Sequence, residues 1–120
     1  MLRPGGRIVL TVPFAARWHY VPYDYWRFTP SSLALLLEAA GFRGVVVHGR
    51  GNALTVACAK VMALMLPALL PQGRPSPAAR LAGLATAPLV GLLAAVGQAS
   101  LRLGRAGEDA LGWTAVAERA

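Results

Sequence analysis

The sequence predicts an α/β fold in which three strands form one sheet and an apolar helical hairpin is inserted between the last two strands. Three observations predict it. Residues 7–13 are aliphatic and β-branched and stop at a proline, which is typical of a buried strand. Residues 29–41 carry the start and stop signals of a helix. Residues 51–105 are almost wholly apolar and rich in Ala and Gly, with a helical pattern.

The chain divides into three zones. Residues 1–50 contain a strand, an aromatic loop, a helix and a second strand. Residues 51–105 form the inserted hairpin, and residues 106–120 contain a closing strand. Because the second and closing strands flank the hairpin, we expect them to pair antiparallel beside each other.

Composition limits the class of protein. The chain has 120 residues, which suits one small domain, and it is 56% hydrophobic and 14% charged, which excludes disorder as the main state. One cysteine, Cys58, excludes a disulfide scaffold. With only 2 histidines, a four-ligand zinc site built from Cys and His is excluded as well, and we predict no metal site. Cys58 lies between alanines and is interpreted as a buried, inert thiol.

The charge pattern limits the partners. Twelve basic and five acidic residues give a net charge of +7, and the basic residues are scattered along the chain. Nucleic-acid-binding surfaces carry clusters or stripes of basic residues, so we expect no nucleic acid partner. Scattered arginines among apolar segments fit a membrane surface or an anionic substrate. Residues 1–14 show no secretory signal, so the expected location is cytoplasmic, at the inner face of the membrane where the hairpin contacts it.

The first strand follows a Pro4-Gly5-Gly6 turn, and its continuous apolar character predicts burial on both faces inside a parallel sheet. Residues 14–28 then form an irregular aromatic loop, since Pro22 and the absence of any apolar period argue against a helix or strand. This loop holds seven of the nine aromatic residues of the chain: Phe14, Trp18, Tyr20, Tyr23, Tyr25, Trp26 and Phe28.

A helix starts at Thr29, which suits the N-cap, and at Pro30, which suits the first helical position. Gly41 is placed to end it. An apolar stripe at helical spacing predicts which side faces the sheet; its members are Leu33, Leu36, Leu37 and Ala40. We expect Leu36 to lie in the middle of that stripe and Ser32 to lie outside it. A second short strand covers residues 45–48.

The hairpin begins where Asn52 caps a helix from about Ala53 to Leu66, ended by Pro67. After a Pro-rich hinge, Ser76 caps a helix that runs to about Leu103, with a kink near Pro88. Residues 104–109 form a turn, and residues 111–117 form the last strand. Small residues recur every fourth position in the second helix and predict a close helix contact: Gly83, Ala87, Gly91, Ala95 and Ala99.

The hairpin also predicts membrane contact. Residues 81–101 contain no charge, and residues 53–71 contain one, Lys60. The first helix is too short to span a bilayer, so we expect peripheral contact through residues 53–103 rather than a double span. A wholly soluble helix pair remains the alternative. Basic side chains at the helix ends suit anionic headgroups: Arg50, Arg74, Arg80, Arg102 and Arg105.

Four short segments, in their order along the chain, resemble the C-terminal part of a class I S-adenosylmethionine-dependent methyltransferase. Residues 2–13 (LRPGGRIVLTVP) are similar to the turn and strand that follow the fourth strand of that fold. Residues 38–42 (EAAGF) resemble the end of the helix before its sixth strand. Residues 22–30 (PYDYWRFTP) and 111–117 (LGWTAVA) resemble short sequence motifs of a methyltransferase-type-11-like bacterial subgroup.

The resemblance implies the C-terminal portion of a Rossmann-like methyltransferase sheet and methyl transfer from S-adenosylmethionine to a small-molecule or lipid-linked acceptor. The cofactor's Gly-rich loop after a first strand and the acidic residue ending a second strand are absent, since Gly5-Gly6 precedes a strand. We therefore expect a substrate-side fragment without cofactor-binding residues, inactive by itself. The alternative is a non-enzymatic, membrane-associated remnant or interaction module.

The aromatic loop is the candidate substrate site, because ligands of open α/β sheets lie at the carboxyl ends of the strands. The candidate substrate-binding residues are His19, Tyr23, Asp24, Tyr25, Trp26 and Arg27. Arg27 suits a carboxylate or phosphate, and His19 or Tyr23 suits proton removal. The structural alternative is that Trp26 and Phe28 pack the loop onto the sheet while Asp24 and Arg27 form an ion pair. No catalytic residue is assigned.

Overall fold

The computed structural model describes residues 2–17, 19, 21–71, 73–103 and 107–120. Trp18, Tyr20 and Arg105, each part of a prediction above, lie outside the described residues, as does Gln72 in the predicted hinge at residues 71–77. The predicted turn at 104–109 is described only from residue 107. The elements follow the predicted order: β1 (Arg7–Pro13), α1 (Pro30–Ala39), β2 (Phe42–Arg50), α2 (Ala53–Leu69), α3 (Pro77–Leu103) and β3 (Gly112–Arg119).

The three strands form one sheet in the order β1-β3-β2, and β3 is antiparallel to both neighbours. The prediction that the closing strand pairs antiparallel beside the second strand is therefore confirmed. β3 also pairs with β1, so the last strand lies between the first two, which run parallel to each other. β2 is longer than predicted, because a bulge containing Gly44 at φ +61 lets it begin at Phe42.

The prediction that β1 is buried on both faces is wrong. Its residues alternate between exposed and half-buried, and Val9 is 69% exposed. Ile8, Leu10 and Val12 point to the face that α1 covers. On the opposite face Val9 is aligned across the strands with Val116 and Val46, and no described helix covers this row. The sheet is thus packed on one side.

Helix α1 contacts the sheet through Leu33 and Leu37, which are buried against Trp113 and against Ala115 and Ala117, respectively. Leu36 is 51% exposed, so its predicted place in the middle of the stripe is wrong, and Ala40 is exposed as well. The reason is geometric: the i, i+4 pair aligns over a flat sheet, whereas Leu36 is rotated by about 100° from Leu37.

The predicted ends of α1 are confirmed. Thr29 Oγ1 accepts a hydrogen bond from Ser32 N at 3.2 Å, and Ser32 Oγ accepts one from Thr29 N at 2.9 Å, which together form a capping box. Ser32 therefore contributes to the cap that was assigned to Thr29 alone. Gly41 ends the helix at φ +81, a conformation that favours glycine.

The predicted caps of the hairpin helices are confirmed, since Asn52 Oδ1 accepts from Thr55 N and Ser76 Oγ accepts from Ala79 N. The predicted end of the first helix at Pro67 is wrong. The helix continues to Leu69, because Leu70 N still bonds to Leu66 O across the proline. Within the described chain, α2 and α3 contact each other and no other helix or strand. The hairpin is therefore a separate arm beside the sheet.

The contact between α2 and α3 follows a different stripe from the predicted one. The more buried positions of α3 recur at alternating steps of four and three: Ala79, Gly83, Thr86, Val90, Leu93, Gly97 and Ser100. Of the predicted small residues, only Gly83 belongs to this seam; Ala87, Gly91, Ala95 and Ala99 are exposed. A seam between two helices repeats every 3.5 residues, whereas a strict repeat of four rotates away from it.

The base of the hairpin holds a polar cluster and the one cysteine. Thr55 Oγ1 and Ser100 Oγ are 2.9 Å apart, and Asn52 Nδ2 donates to Ser100 O at 3.0 Å. Cys58 is buried, as expected, and a methyl group on Gly97 would lie 3.6 Å from its Cβ. Small residues at positions 97 and 100 thus let the helices approach closely.

Candidate functional site

The aromatic loop is anchored to the core at both ends. Its first residues donate backbone hydrogen bonds to Leu111 O, from Phe14 N at 2.9 Å and from Ala15 N at 3.2 Å. The Phe14 ring packs against Trp113 with centroids 5.6 Å apart. At the other end Phe28 packs into the same core cluster, which confirms its predicted structural role. The middle of the loop is therefore held at the carboxyl end of β1.

The carboxylate of Asp24 organises the middle of the loop. Arg27 donates from Nη1 to Oδ1 and from Nη2 to Oδ2, and the Asp24 side chain is only 10% exposed. The backbone N–H of His19 also donates to Oδ2, at 3.2 Å. Arg27 donates further to the carbonyls of Trp26 (3.1 Å) and Arg17 (3.3 Å). One ion pair thus joins three separate parts of the loop.

Both members of this pair stay charged over a wide pH range. The hydrogen bonds from Arg27 lower the pKa of Asp24 to about 2, against the opposing effect of partial burial, and the His19 N–H adds to the lowering. The same pairing raises the pKa of Arg27. The structural alternative for these residues, an ion pair, is therefore present. Because both guanidinium prongs bind Asp24, Arg27 offers no free two-pronged site to a substrate anion.

The ring of His19 is oriented by two oxygens. Its Nδ1 lies 2.6 Å from Arg17 O and 3.4 Å from Asp24 Oδ2. Since a carbonyl oxygen only accepts, Nδ1 carries the proton, and neutral His19 keeps its lone pair on Nε2. The side chain is 58% exposed. The basic nitrogen of this exposed side chain is therefore Nε2, and the other ring nitrogen faces the Asp24 carboxylate.

Three aromatic side chains of the loop point outward. Tyr23, Tyr25 and Trp26 are 66%, 68% and 73% exposed, and the two tyrosine rings meet edge to face at 6.4 Å. The prediction that Trp26 packs the loop onto the sheet is therefore wrong. Its backbone carbonyl accepts a hydrogen bond from Arg27 Nη1, while its indole stays exposed. Exposed aromatic rings of this kind are typical of binding surfaces rather than of cores.

The structure brings together three of the six predicted site residues, His19, Asp24 and Arg27, and leaves the aromatic ones around them. Sequence reasoning missed the Arg17 carbonyl, which binds both His19 and Arg27. No sequence signal marks it, because a backbone oxygen is common to every residue. It also missed the indole N–H of Trp113, which is buried without a hydrogen-bond partner in the described chain.

Among the described residues, no group of three or more His, Cys, Asp or Glu side chains is placed to hold a metal ion. No family model matches the sequence, and no curated protein or solved structure matches the chain.

Proposed function

We propose that this chain is the acceptor-binding, C-terminal part of an S-adenosylmethionine-dependent methyltransferase. The acceptor is a small molecule or a lipid-linked compound. The four sequence segments support the proposal, and the closing strand lies where the sequence predicts it, antiparallel beside β2. We also propose that the three strands are the C-terminal part of a Rossmann-like methyltransferase sheet.

The observation that carries the proposal is the position of the aromatic loop. It leaves the carboxyl end of β1, and in open α/β sheets that edge is where ligands bind. The Asp24–Arg27 pair fixes its backbone, while Tyr25 and Trp26 remain exposed. A fixed loop that displays aromatic rings suits an acceptor with a flat or apolar part, because such rings bind large area at low entropic cost.

The residues of the loop also suit the proton chemistry of methylation. An oxygen or nitrogen acceptor that attacks a methyl group must lose a proton. His19 Nε2 is the group that takes it, and the Asp24 carboxylate, 3.4 Å from Nδ1, stabilises the charged ring that results. An acceptor that needs no proton removal would use the loop for alignment alone, which is often sufficient for this chemistry.

The described residues do not fit the cofactor. Gly5 and Gly6 precede β1 instead of following a strand. Gly51 does follow β2, yet a Cβ there would already meet Thr55 at 3.4 Å and Leu111 at 3.5 Å, so the chain itself fills the space. No acidic residue ends β1 or β2. The proposal therefore assigns cofactor binding to residues outside this chain segment, and no step is derived through it.

The test uses the product of the reading frame that contains these residues together with the sequence upstream of Met1. It is incubated with methyl-labelled S-adenosylmethionine and a lipid and metabolite extract. We expect a labelled product, strongly reduced in Tyr25→Ala/Trp26→Ala. Leu36→Ala, at an exposed position of α1, is the matched control and keeps full activity. Absence of any labelled product, or equal labelling in all variants, would contradict the proposal.

A non-enzymatic, membrane-associated module is the second candidate. The exposed apolar surface of the hairpin and the lack of a cofactor site in the described residues favour it. The same assay separates the two candidates. Membrane binding without methyl transfer by the longer product would support the module, whereas a labelled acceptor supports the enzyme.

A further inference from the structure

The outer surface of the α2–α3 hairpin is strongly apolar. Its exposed large side chains include Leu64 at 81%, Leu84 at 72%, Leu92 at 60% and Leu54 at 51%. Helix α3 contains the one candidate membrane span found among the described residues, over Pro77–Arg102, and none of its apolar window is buried. A soluble monomer rarely exposes a continuous apolar surface of this size, so the hairpin requires an apolar partner.

The charges of the hairpin indicate what kind of partner it is. Described residues from 53 to 103 include four basic side chains and no acidic one; the basic residues are Lys60, Arg74, Arg80 and Arg102. A hairpin whose only charges are cations matches an anionic lipid surface, which attracts basic side chains carried on the polar face of a helix that lies at the interface.

The aromatic loop argues against a hairpin that crosses the bilayer. Ala15 and Ala16 line a cavity of about 300 Å³ with Ala59, Lys60 and Ala63. Arg17 lines another, of about 320 Å³, with Leu66, Pro67 and Leu70 at the far end of α2. A spanning hairpin would carry this irregular backbone and the Arg17 charge into hydrocarbon, which lipid-exposed loops do not tolerate.

Helix geometry then identifies the lipid-facing side. At about 100° per residue, Leu54 and Val61 lie on the flank of α2 opposite the Ala59–Ala63 stripe that faces the loop. On α3, Leu92 and Val96 lie on one flank. The other flank carries Arg80, Gln98 and Arg102 together with Leu84, which is 72% exposed. Because the two helices are antiparallel, the Leu54–Val61 and Leu92–Val96 flanks belong to the same side of the hairpin, and the flank of α3 that carries the arginines lies on the loop side.

We propose that the hairpin lies flat on anionic membranes with the Leu54–Val61–Leu92–Val96 side, here called the lipid side, in the boundary between headgroups and acyl chains. The aromatic loop lies on the opposite, water-facing side of α2. The proposal does not depend on methyl transfer, because it rests on the surface of the hairpin and on where the aromatic loop lies against α2.

Flotation with vesicles tests the proposal, with phosphatidylcholine alone compared to phosphatidylcholine mixed with phosphatidylglycerol. The full chain floats with the anionic vesicles, and high salt releases only a part of it. Leu54→Asp/Leu92→Asp lowers the apparent affinity by about tenfold or more. Leu36→Asp, matched to Leu54 in exposure, leaves it unchanged. Failure to float, or an equal loss in the Leu36 variant, overturns the proposal.

A second measurement separates a flat hairpin from a spanning one. Ser76→Cys, in a chain whose buried cysteine is removed by Cys58→Ala, places a single thiol at the hairpin tip. A membrane-impermeant maleimide added outside bound vesicles labels the tip of a flat hairpin. Protection until the vesicles are lysed would show a span and overturn the proposal. A dimer that buries its leucines and does not float would overturn it as well.

Discussion

The carboxylate of Asp24 and the guanidinium of Arg27, three positions apart in irregular chain, form a bidentate ion pair in which Nη1 donates to Oδ1 and Nη2 donates to Oδ2. The pair also binds the backbone of the preceding part of the aromatic loop: Asp24 accepts a hydrogen bond from His19 N, and Arg27 donates one to Arg17 O. As a result, the exposed rings of Tyr25 and Trp26 sit on a fixed support, although the loop has no helix or strand of its own.

Acid is expected to release this support. The pKa of Asp24 is lowered from 3.8 to about 2, so the pair stabilises the folded chain above about pH 4, and the contribution is lost as the pH falls toward 2. Thermal melting of the wild-type chain and of Asp24→Asn, which lacks the titrating group, checks this. The difference in Tm between them should shrink across that interval. A constant difference would show that ionisation of Asp24 does not stabilise the loop.

The geometry of the pair predicts a specific effect of Arg27→Lys. Lysine keeps the charge but has no planar guanidinium group with two terminal nitrogens. The hydrogen bonds from Nη2 to Asp24 and to the Arg17 carbonyl are therefore lost together. Hydrogen exchange over residues 17–27 should become severalfold faster. Arg43→Lys is the matched control, since Arg43 meets Glu118 through one nitrogen at 2.8 Å in an exposed pair. Equal effects of both variants on hydrogen exchange would refute the claim that the bidentate geometry of Arg27 stabilises the loop.

The packing of α1 makes opposite predictions for two adjacent leucines. Leu37→Asp buries an unpaired carboxylate against Ala115 and Ala117 and should cost about 3 kcal/mol or more, enough to unfold a small domain. Leu36→Asp, at a position 51% exposed, should change the free energy of unfolding by about 0.5 kcal/mol or less. Urea unfolding of the two variants decides between them, and comparable midpoints would contradict the assigned face.

Two glycines are expected to respond to alanine in opposite directions. A Cβ on Gly112 would lie 2.5 Å from Val12 O and 2.7 Å from Arg50 Nη2, so Gly112→Ala should destabilise the sheet by about 1–3 kcal/mol. A Cβ on Gly91, in the exposed face of α3, would meet no described atom within 4 Å apart from its chain neighbours and the backbone of its own helix. Gly91→Ala should therefore stabilise the helix by about 0.5–1 kcal/mol. Thermal melting that shows the same sign for both would contradict the fold.

Local signals in the sequence predicted much of this structure. The caps at Thr29, Asn52 and Ser76 and the helix end at Gly41 are determined by neighbouring residues, so they can be read from the chain directly. The end of α2 was missed because a proline terminates a helix only when the backbone after it finds no partner. Leu70 N finds one in Leu66 O.

Predictions that depend on distant contacts were less accurate. An apolar run such as residues 7–13 does not reveal whether both faces of a strand are covered, and Val9 is not. The seam of α3 depends on where α2 lies, so a stripe of small residues gave the wrong side. In the aromatic loop, the Asp24–Arg27 spacing suggested the pair, whereas no local signal indicates that the Trp26 indole stays exposed.

Calorimetric titration with S-adenosylmethionine tests the central claim most directly, namely that this chain holds the acceptor side of a methyltransferase and not its cofactor cradle. We predict no measurable binding by the 120-residue chain, and binding by the longer product that includes the upstream sequence, with an affinity that Tyr25→Ala/Trp26→Ala leaves unchanged. Micromolar binding by the 120-residue chain alone, or no binding by the longer product, would contradict the claim.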